Sequence, residues 1–434
     1  MSKLALFWFR RDLRIEDNAG LYHALQSSEK VIPIFIFDEN ILQKLPKKDA
    51  RVELILKALG YINDAMKGNQ CTVGMYHGVP KAILKQLLDQ YPIDRVVTNH
   101  DYEPYAQDRD QEIAELLAER GIPFETYKDQ VIFEKSEITK DDGKPYVVYT
   151  PYSRKWLKAY AENRPSSFPS ETLLHKLYSD EVLPQLQLKD LGLAPQDFNT
   201  PAYSFNEKVV DDYEDTRNFP AMDQTSRLGP YLRFGLVSIR KLAAEAAQRT
   251  NHTFLKELVW REFFMQILWH FPHTKERCFK PQYDRIPWRN NEEDFNKWCT
   301  GTTGYPLVDA GMRQLNATGY MHNRVRMLVG SFLCKHLLID WRWGEAYFAE
   351  KLLDYEMASN VGNWQWVAGS GVDASPYFRI FNPTEQIKKF DKQHAYIQKW
   401  VPDYQELSYP PPMVDHKMAR ERCLKVYKTA LAAV

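Results

Sequence analysis

The sequence predicts a two-part molecule: an N-terminal doubly wound parallel sheet domain of α/β class, joined by a long linker to a C-terminal all-helical domain. Three observations predict it. Residues 1–130 alternate short β-rich apolar runs with helix-length amphipathic stretches, the pattern of a parallel sheet covered on both faces. After about residue 222 strand signals stop and helical spacing recurs. At 434 residues the chain is too long for one small core. The expected boundaries are 1–130 for the α/β domain, 131–205 for the linker and 206–434 for the helical domain.

In order, strands are expected at 4–9, 31–37, 71–76 and 95–98, with helices at 51–66, 81–90 and 106–120. No GxGxxG follows the first strand, which runs into RRDLRIEDN, so the usual dinucleotide fingerprint is absent. The stretch DDGKPYVVYTPYSRKW reads as a turn-rich segment leading into a helix, and residues 162–205 are rich in Pro, Ser and Gln, as a linker would be. Helical spacing then recurs over 238–249, 253–270, 292–299, 308–317, 320–338 and 344–357. There is no internal repeat and no low-complexity tract.

Bulk composition narrows the function classes. Net charge is zero, which alone argues weakly against a nucleic-acid partner. An acidic excess in residues 1–150 is matched by a basic excess in the rest, so a DNA site would have to be a local basic patch. No apolar run is long enough to span a membrane. The N-terminal MSKLALFWFRRDLR lacks the features of a signal peptide. The five cysteines are scattered without a CxxC pair, so neither a disulfide framework nor a metal site is expected, and a cytoplasmic location fits.

Aromatic residues reach 13%, and of 11 tryptophans the set Trp260, Trp269, Trp288, Trp298, Trp341, Trp343, Trp364 and Trp366 falls in the helical half. Such clustering points to a site that stacks flat rings, moves electrons, or both. Four segments carry the chemistry. In FLKELVWREFFMQILWHFP, Glu257, Trp260, Arg261 and Phe264 share one helix face; this fits either a Glu–Arg pair on the rim of an amphipathic helix or a pocket wall holding a flat plate and a carboxylate. In YMHNRVRMLVGSFL, Asn323 and Met327 stand four apart with Arg326 on an adjoining face. An Asn inside an apolar helix needs a partner for its amide, whereas His322 reads as structural.

In LLDYEMASNVGNWQW, Asp354 is flanked by apolar residues, so burial would demand a cation, with Arg326 the candidate. Asn360 and Trp364 are four apart. Trp364 and Trp366 are two apart and point in different directions, as an inner and an outer plate or as two core residues. In DQTSRLGPYLRFGLVSIR, Thr225, Ser226 and Arg227 offer hydroxyls, backbone N–H groups and a cation; these suit a phosphate or serve as an ordinary helix cap.

Taken in order, from FWFRRDLRIEDN through TSRLGPYLRFGLVS, ELVWREFF, GYPLVDAGMRQLNATGYMHNRVRM and NWQW to PYFRIFNP, the chain resembles the photolyase/cryptochrome family over nearly its whole length, and within it the class I cyclobutane pyrimidine dimer photolyases. The resemblance implies an N-terminal antenna domain and a C-terminal domain that binds FAD. It implies that Tyr213, Thr225, Ser226, Arg227, Leu228 and Gly229 meet the FAD diphosphate and ribityl chain. Arg326, Asp354, Tyr355, Glu356 and Asn360 would surround the flavin ring, ribose and adenine, with Asn360 facing flavin N5. Trp364, Trp341 and Trp288 would form the proximal, middle and surface members of an electron-transfer chain. Glu257, Trp260, Asn323, Met327 and Trp366 would hold a flipped dimer, with Arg217, Arg261 and Arg324 near the DNA. Departures are Glu356, where some relatives have Asp, and Val361 and Asn363, where others have small or polar residues.

The implied activity is light-dependent repair of cyclobutane pyrimidine dimers in DNA, by electron transfer from photoexcited reduced FAD to the flipped-out dimer. The alternative within the family is a cryptochrome-type blue-light photoreceptor with little or no repair activity. A (6-4) photolyase is disfavoured, because it usually needs pocket histidines. The implied accessory group is an antenna chromophore, a folate or a deazaflavin, in the first domain, with Glu103 as a contact for a pterin. The expected partner is DNA containing pyrimidine dimers, with no membrane, no obligate protein partner and a monomeric state.

Overall fold

The computed structural model describes residues 4–196 and 205–432. Two compact units emerge, one comprising Met1–Glu137, Trp156–Asp197 and Gly229–Gln248, the other Ile138–Lys155, Phe198–Leu228 and Arg249–Val434. The chain thus passes between units more often than a split at 130 and 205 allows. Composition cannot register such returns, because both units draw on the same apolar residue types. Of the stretch expected as a linker, 197–204 lie outside the described residues. The rest holds a helix at Tyr149–Glu162 and 3-10 turns at Ser170–Lys176 and Leu188–Leu191. Within the first unit, Tyr178 N–H donates to Val31 O at 2.8 Å and Met75 N–H to Pro184 O at 2.8 Å.

The first unit is built on five strands, β1 Leu4–Phe9, β2 Lys30–Asp38, β3 Gly74–Gly78, β4 Ile93–Asn99 and β5 Phe124–Tyr127, in the order β3-β2-β1-β4-β5. Every pairing is parallel. Strand alternation sends Ala5, Phe7 and Phe9 to one core and Leu4, Leu6 and Trp8 to the other. This is why β1 reads as a continuous apolar run. Sequence reading missed β5, whose FETY has no apolar run, and the helix Ala19–Ser27. The helix had a signal: Asn18 caps it by accepting the Leu21 N–H at 3.1 Å.

The charged run after β1 is buried, not solvated. Arg14 donates to both oxygens of Asp129 at 2.8 Å, and Arg240 donates to Asp129 and Asp17. Burial opposes ionisation of Asp129, yet Arg14 and Arg240 hold its pKa below the ordinary value. Removing one partner from such a network costs about 3–5 kcal/mol.

The second unit is helical. Its principal helices are Thr253–His270, Glu292–Thr300, Pro306–Thr318, Asn323–Ser331, Trp341–Lys351, Met357–Ala368 and His416–Ala432. Two expected helices are corrected. The expected 320–338 begins only at Asn323 and passes into a π turn at Phe332–Leu337. The expected 344–357 ends at Lys351; the next helix begins at Met357, where the Glu356 side chain caps it by accepting the Ser359 N–H at 2.9 Å. That break leaves Asp354 and Tyr355 in a turn between two helices. All five cysteines are free and buried. Among the described residues no helix is long and apolar enough to cross a membrane.

Candidate active site

The helix Thr253–His270 is apolar nearly all round, so most of it is core. Glu257, Trp260 and Arg261 lie on the accessible side that remains, next to the exposed Lys256. Arg217 donates through Nη1 to Glu257 Oε1. Burial pushes the Glu257 pKa up, and the Arg217 cation only partly offsets it. The Trp260 ring carries the Tyr149 ring against it, with centroids 3.6 Å apart and planes at 6°. Sequence reading missed Tyr149. Its segment, YVVYTPY, was legible as an ordered turn but gave no sign of its target.

The helix Asn323–Ser331 opens under a cap from His322, whose Nδ1 accepts the Arg324 N–H at 3.2 Å. Asn323 is therefore the first helical residue and exposed, which corrects the expectation of an Asn inside an apolar helix. Arg324 donates to Asn218 Oδ1 at 2.5 Å and lies 4.5 Å from the centroid of Phe390. It also reaches Met327 Sδ at 3.5 Å. Arg326 forms a two-pronged ion pair with Asp354, Nη1 to Oδ1 at 3.1 Å and Nη2 to Oδ2 at 2.9 Å, and its Nε donates to Met321 O at 2.7 Å.

Tyr320, absent from the sequence-based set, joins two of these groups. Its hydroxyl meets Thr225 Oγ1 at 3.0 Å, and its ring lies 5.8 Å from the Arg227 guanidinium and 5.9 Å from that of Arg326. Arg227 takes φ +53 and pairs with Asp223. This left-handed turn is rare outside glycine and sets the path of the TSRLG run. Ser226 and Leu228 are buried, Leu228 N–H donating to Ser226 Oγ at 3.4 Å. Gly229 opens the short helix Gly229–Arg233. Tyr213 packs on Phe254 with centroids 5.2 Å apart, and burial raises its phenol pKa.

The helix Met357–Ala368 carries Asn360, Trp364 and Trp366. The Asn360 amide donates to Glu345 Oε1 at 2.9 Å and to Glu345 O at 3.1 Å, and burial pushes the Glu345 carboxyl up. Glu345 too was missed by sequence reading. Trp364 is buried against Phe348 at 5.0 Å and Trp298 at 6.1 Å. It sits over Gly344, where a Cβ would come within 2.1 Å of its ring. Trp366 stays partly exposed, as do Tyr355 and Trp288. Trp341 is wholly buried, and the Arg342 guanidinium lies 4.8 Å from its ring centroid. Trp288 lies 6.0 Å from Tyr427.

Comparison with known proteins bears on what this arrangement is for. Residues 5–170 match the DNA photolyase family and residues 254–408 match the FAD binding domain of DNA photolyase. The deoxyribodipyrimidine photo-lyase of Synechococcus sp. is 35% identical, over 100% of this chain and 98% of the relative. The chain belongs to the photolyase/cryptochrome family. Its fold is similar to that of a bacterial class III photolyase from Agrobacterium tumefaciens, with TM-score 0.89, 33% identity and coverage of 99% of this chain and 98% of that one. It is also similar to an archaeal photolyase from Sulfolobus tokodaii described with two FAD molecules, with TM-score 0.84, 33% identity and coverage of 98% of this chain and 100% of that one.

The second unit thus contains the photolyase FAD-binding domain, and its residues fit such a cofactor. One buried polar atom beside Arg326, His322 Nε2, has no protein partner. The hydroxyls of Thr225 and Ser226 and the Arg227 cation suit a diphosphate. In the first unit, the sheet order reverses between β1 and β4, the place where open α/β sheets bind ligands. Here Arg10 crosses that crevice, donating to Asn99 O and to Asp110 Oδ1, the latter at 2.5 Å. Glu103, expected as a pterin contact, accepts from Arg11 at 3.1 Å and Arg233 at 2.9 Å.

Proposed function

We propose that the protein is a deoxyribodipyrimidine photo-lyase, a carbon–carbon lyase that repairs cyclobutane pyrimidine dimers in DNA under light. One observation carries the reading: every residue assigned to the lesion is accessible, and the buried residues of the whole set all fall on the cofactor and electron-transfer side. Ser226, Leu228, Glu356, Asn360 and Trp364 are buried, whereas Glu257, Trp260, Asn323, Met327 and Trp366 are all accessible. A cofactor held inside and a substrate admitted from outside require that division.

The dimer cannot be reached within a duplex, so it must flip out, and its poor stacking lowers that cost to about a few kcal/mol. Trp366 and the uncovered part of Trp260 give the extruded lesion apolar walls. The Asn323 amide offers a donor and an acceptor to a pyrimidine edge. Glu257 can hydrogen-bond a pyrimidine carbonyl or N3–H and, if protonated, can donate to the atom where negative charge develops. Met327 fills the remaining gap with a polarizable group. Arg217, Arg261 and Arg324 supply cations for the phosphates, so affinity falls as salt rises.

Reduced FAD, when bound, supplies the photoexcited electron that splits the cyclobutane ring and recovers it afterwards, with no net redox change. Tyr213, Thr225, Ser226, Arg227, Leu228 and Gly229 would hold its diphosphate side, and Arg326, Asp354, Tyr355, Glu356 and Asn360 its ring and adenosine. Trp364, Trp341 and Trp288 would pass electrons inward from the surface. The enzyme would act as a cytoplasmic monomer.

The test is selective binding. Purified protein should hold FAD and should bind a thymine-dimer oligonucleotide more tightly than the same undamaged sequence, with both affinities falling as salt rises. Equal affinity for the two would overturn the reading.

A further inference from the structure

Tyr149 is held at three points within the second unit. Its hydroxyl donates to Lys256 O at 2.7 Å, its N–H donates to Asp373 Oδ2 at 3.1 Å, and its ring lies flat on Trp260 at 3.6 Å and 6°. Phe263 meets both rings edge-on, at 5.8 Å from Tyr149 and 5.6 Å from Trp260. Phe264 packs against Trp260 at 5.5 Å and 29°. Trp260 is thus fixed from several sides, and one face of its indole is taken.

That covered face has a consequence for recognition. An undamaged pyrimidine is a flat π-system that gains most from lying face to face on an open indole. A cyclobutane dimer has lost the C5–C6 double bond of both rings, is not flat, and gains little from that contact. Covering the indole face withholds stacking from the wrong base and takes almost nothing from the lesion.

We propose that Tyr149 is a positioning and specificity residue, which locks Trp260 and denies its face to undamaged pyrimidines. This rests on the repair reading above. The test measures dissociation constants for a thymine-dimer oligonucleotide and its undamaged counterpart, using FAD-loaded wild type, Tyr149→Phe and Tyr149→Ala. Tyr149→Phe keeps the stack and loses only the hydroxyl's bonds, to Lys256 O and to Ser153, so it should retain the wild-type preference. Tyr149→Ala opens the indole face; it should bind undamaged DNA more tightly and lose about tenfold of the preference, the size of one base–aromatic stack. The FAD content and near-ultraviolet circular dichroism of each variant report whether it is folded. An unchanged preference in folded Tyr149→Ala, or its loss in folded Tyr149→Phe, overturns the inference alone. No preference in the wild type overturns the repair reading and this inference with it.

Discussion

Arg217 donates a charge-assisted hydrogen bond to Glu257, so the carboxyl assigned to the lesion is already paired with an arginine assigned to the DNA rim. A phosphate that draws Arg217 away would leave Glu257 with burial alone acting on it. Arg217→Gln mimics that state and should raise the Glu257 pKa further, because burial already pushes it up and Arg217 is what opposes this. An acid whose folded pKa lies above its unfolded one is more protonated when folded. The variant should therefore lose stability as pH rises from the ordinary carboxylate range to the folded pKa. Infrared titration of the protonated carboxyl band, with Glu257→Gln as the blank, reads the midpoint; no upward movement would contradict the coupling.

Glu257→Ala should lower the yield of repair per absorbed photon more than it lowers affinity for the dimer. The group acts on developing charge, and Trp366, Asn323 and the rim arginines remain for binding. Equal losses in the two measurements would reduce Glu257 to a binding residue.

Trp364 depends on Gly344. A Cβ there would lie 2.1 Å from the ring, whereas a Cβ on Gly60 would meet nothing within 4 Å. Gly344→Ala should cost about 1–3 kcal/mol by overpacking, lower the melting temperature and reduce retained FAD. Gly60→Ala, in the middle of a helix, should stabilise by about 0.5–1 kcal/mol. Equal effects from the two substitutions would show that Trp364 has room to move.

Burial lowers the His322 pKa to about 4 and the His336 pKa to about 3. Both are neutral in the folded protein and bind protons on unfolding below about pH 6.5. Stability should therefore rise with pH across that window, with His322 contributing at most about 3 kcal/mol between pH 4 and 6.5. His322→Asn keeps a capping side chain and should flatten that part of the pH dependence in urea unfolding. A slope unchanged by the substitution would mean that His322 titrates normally.

Strands 4–9 and 31–37 were readable because their apolar runs are long, 95–98 because of its β-branched pair, and the helix 253–270 because of its apolar content and length. The third strand was read early, at 71–76 for Gly74–Gly78, and the break between Lys351 and Met357 was not read at all. A cap made by Glu356 looks, in sequence, like one more charged helical residue. Of the site, Arg326–Asp354 was legible because an aspartate among apolar residues needs a cation. Tyr149, Tyr320 and Glu345 were not, since each matters through a partner distant in sequence that only folding brings near. The depth of Asn323 was misjudged for the same reason: His322 is the cap, so the helix starts at Asn323 itself.

Light-driven repair itself tests the central claim most directly. Purified protein with its FAD chemically reduced should be mixed with a single thymine dimer in a short oligonucleotide, illuminated with blue light, and the restored thymine absorbance near 260 nm followed against a dark control. Dimer should disappear only in the light, and Trp364→Phe, pre-reduced in the same way, should repair as well as the wild type while failing to photoreduce from the oxidised state. A reduced, FAD-loaded protein that leaves the dimer intact under illumination would contradict the assignment.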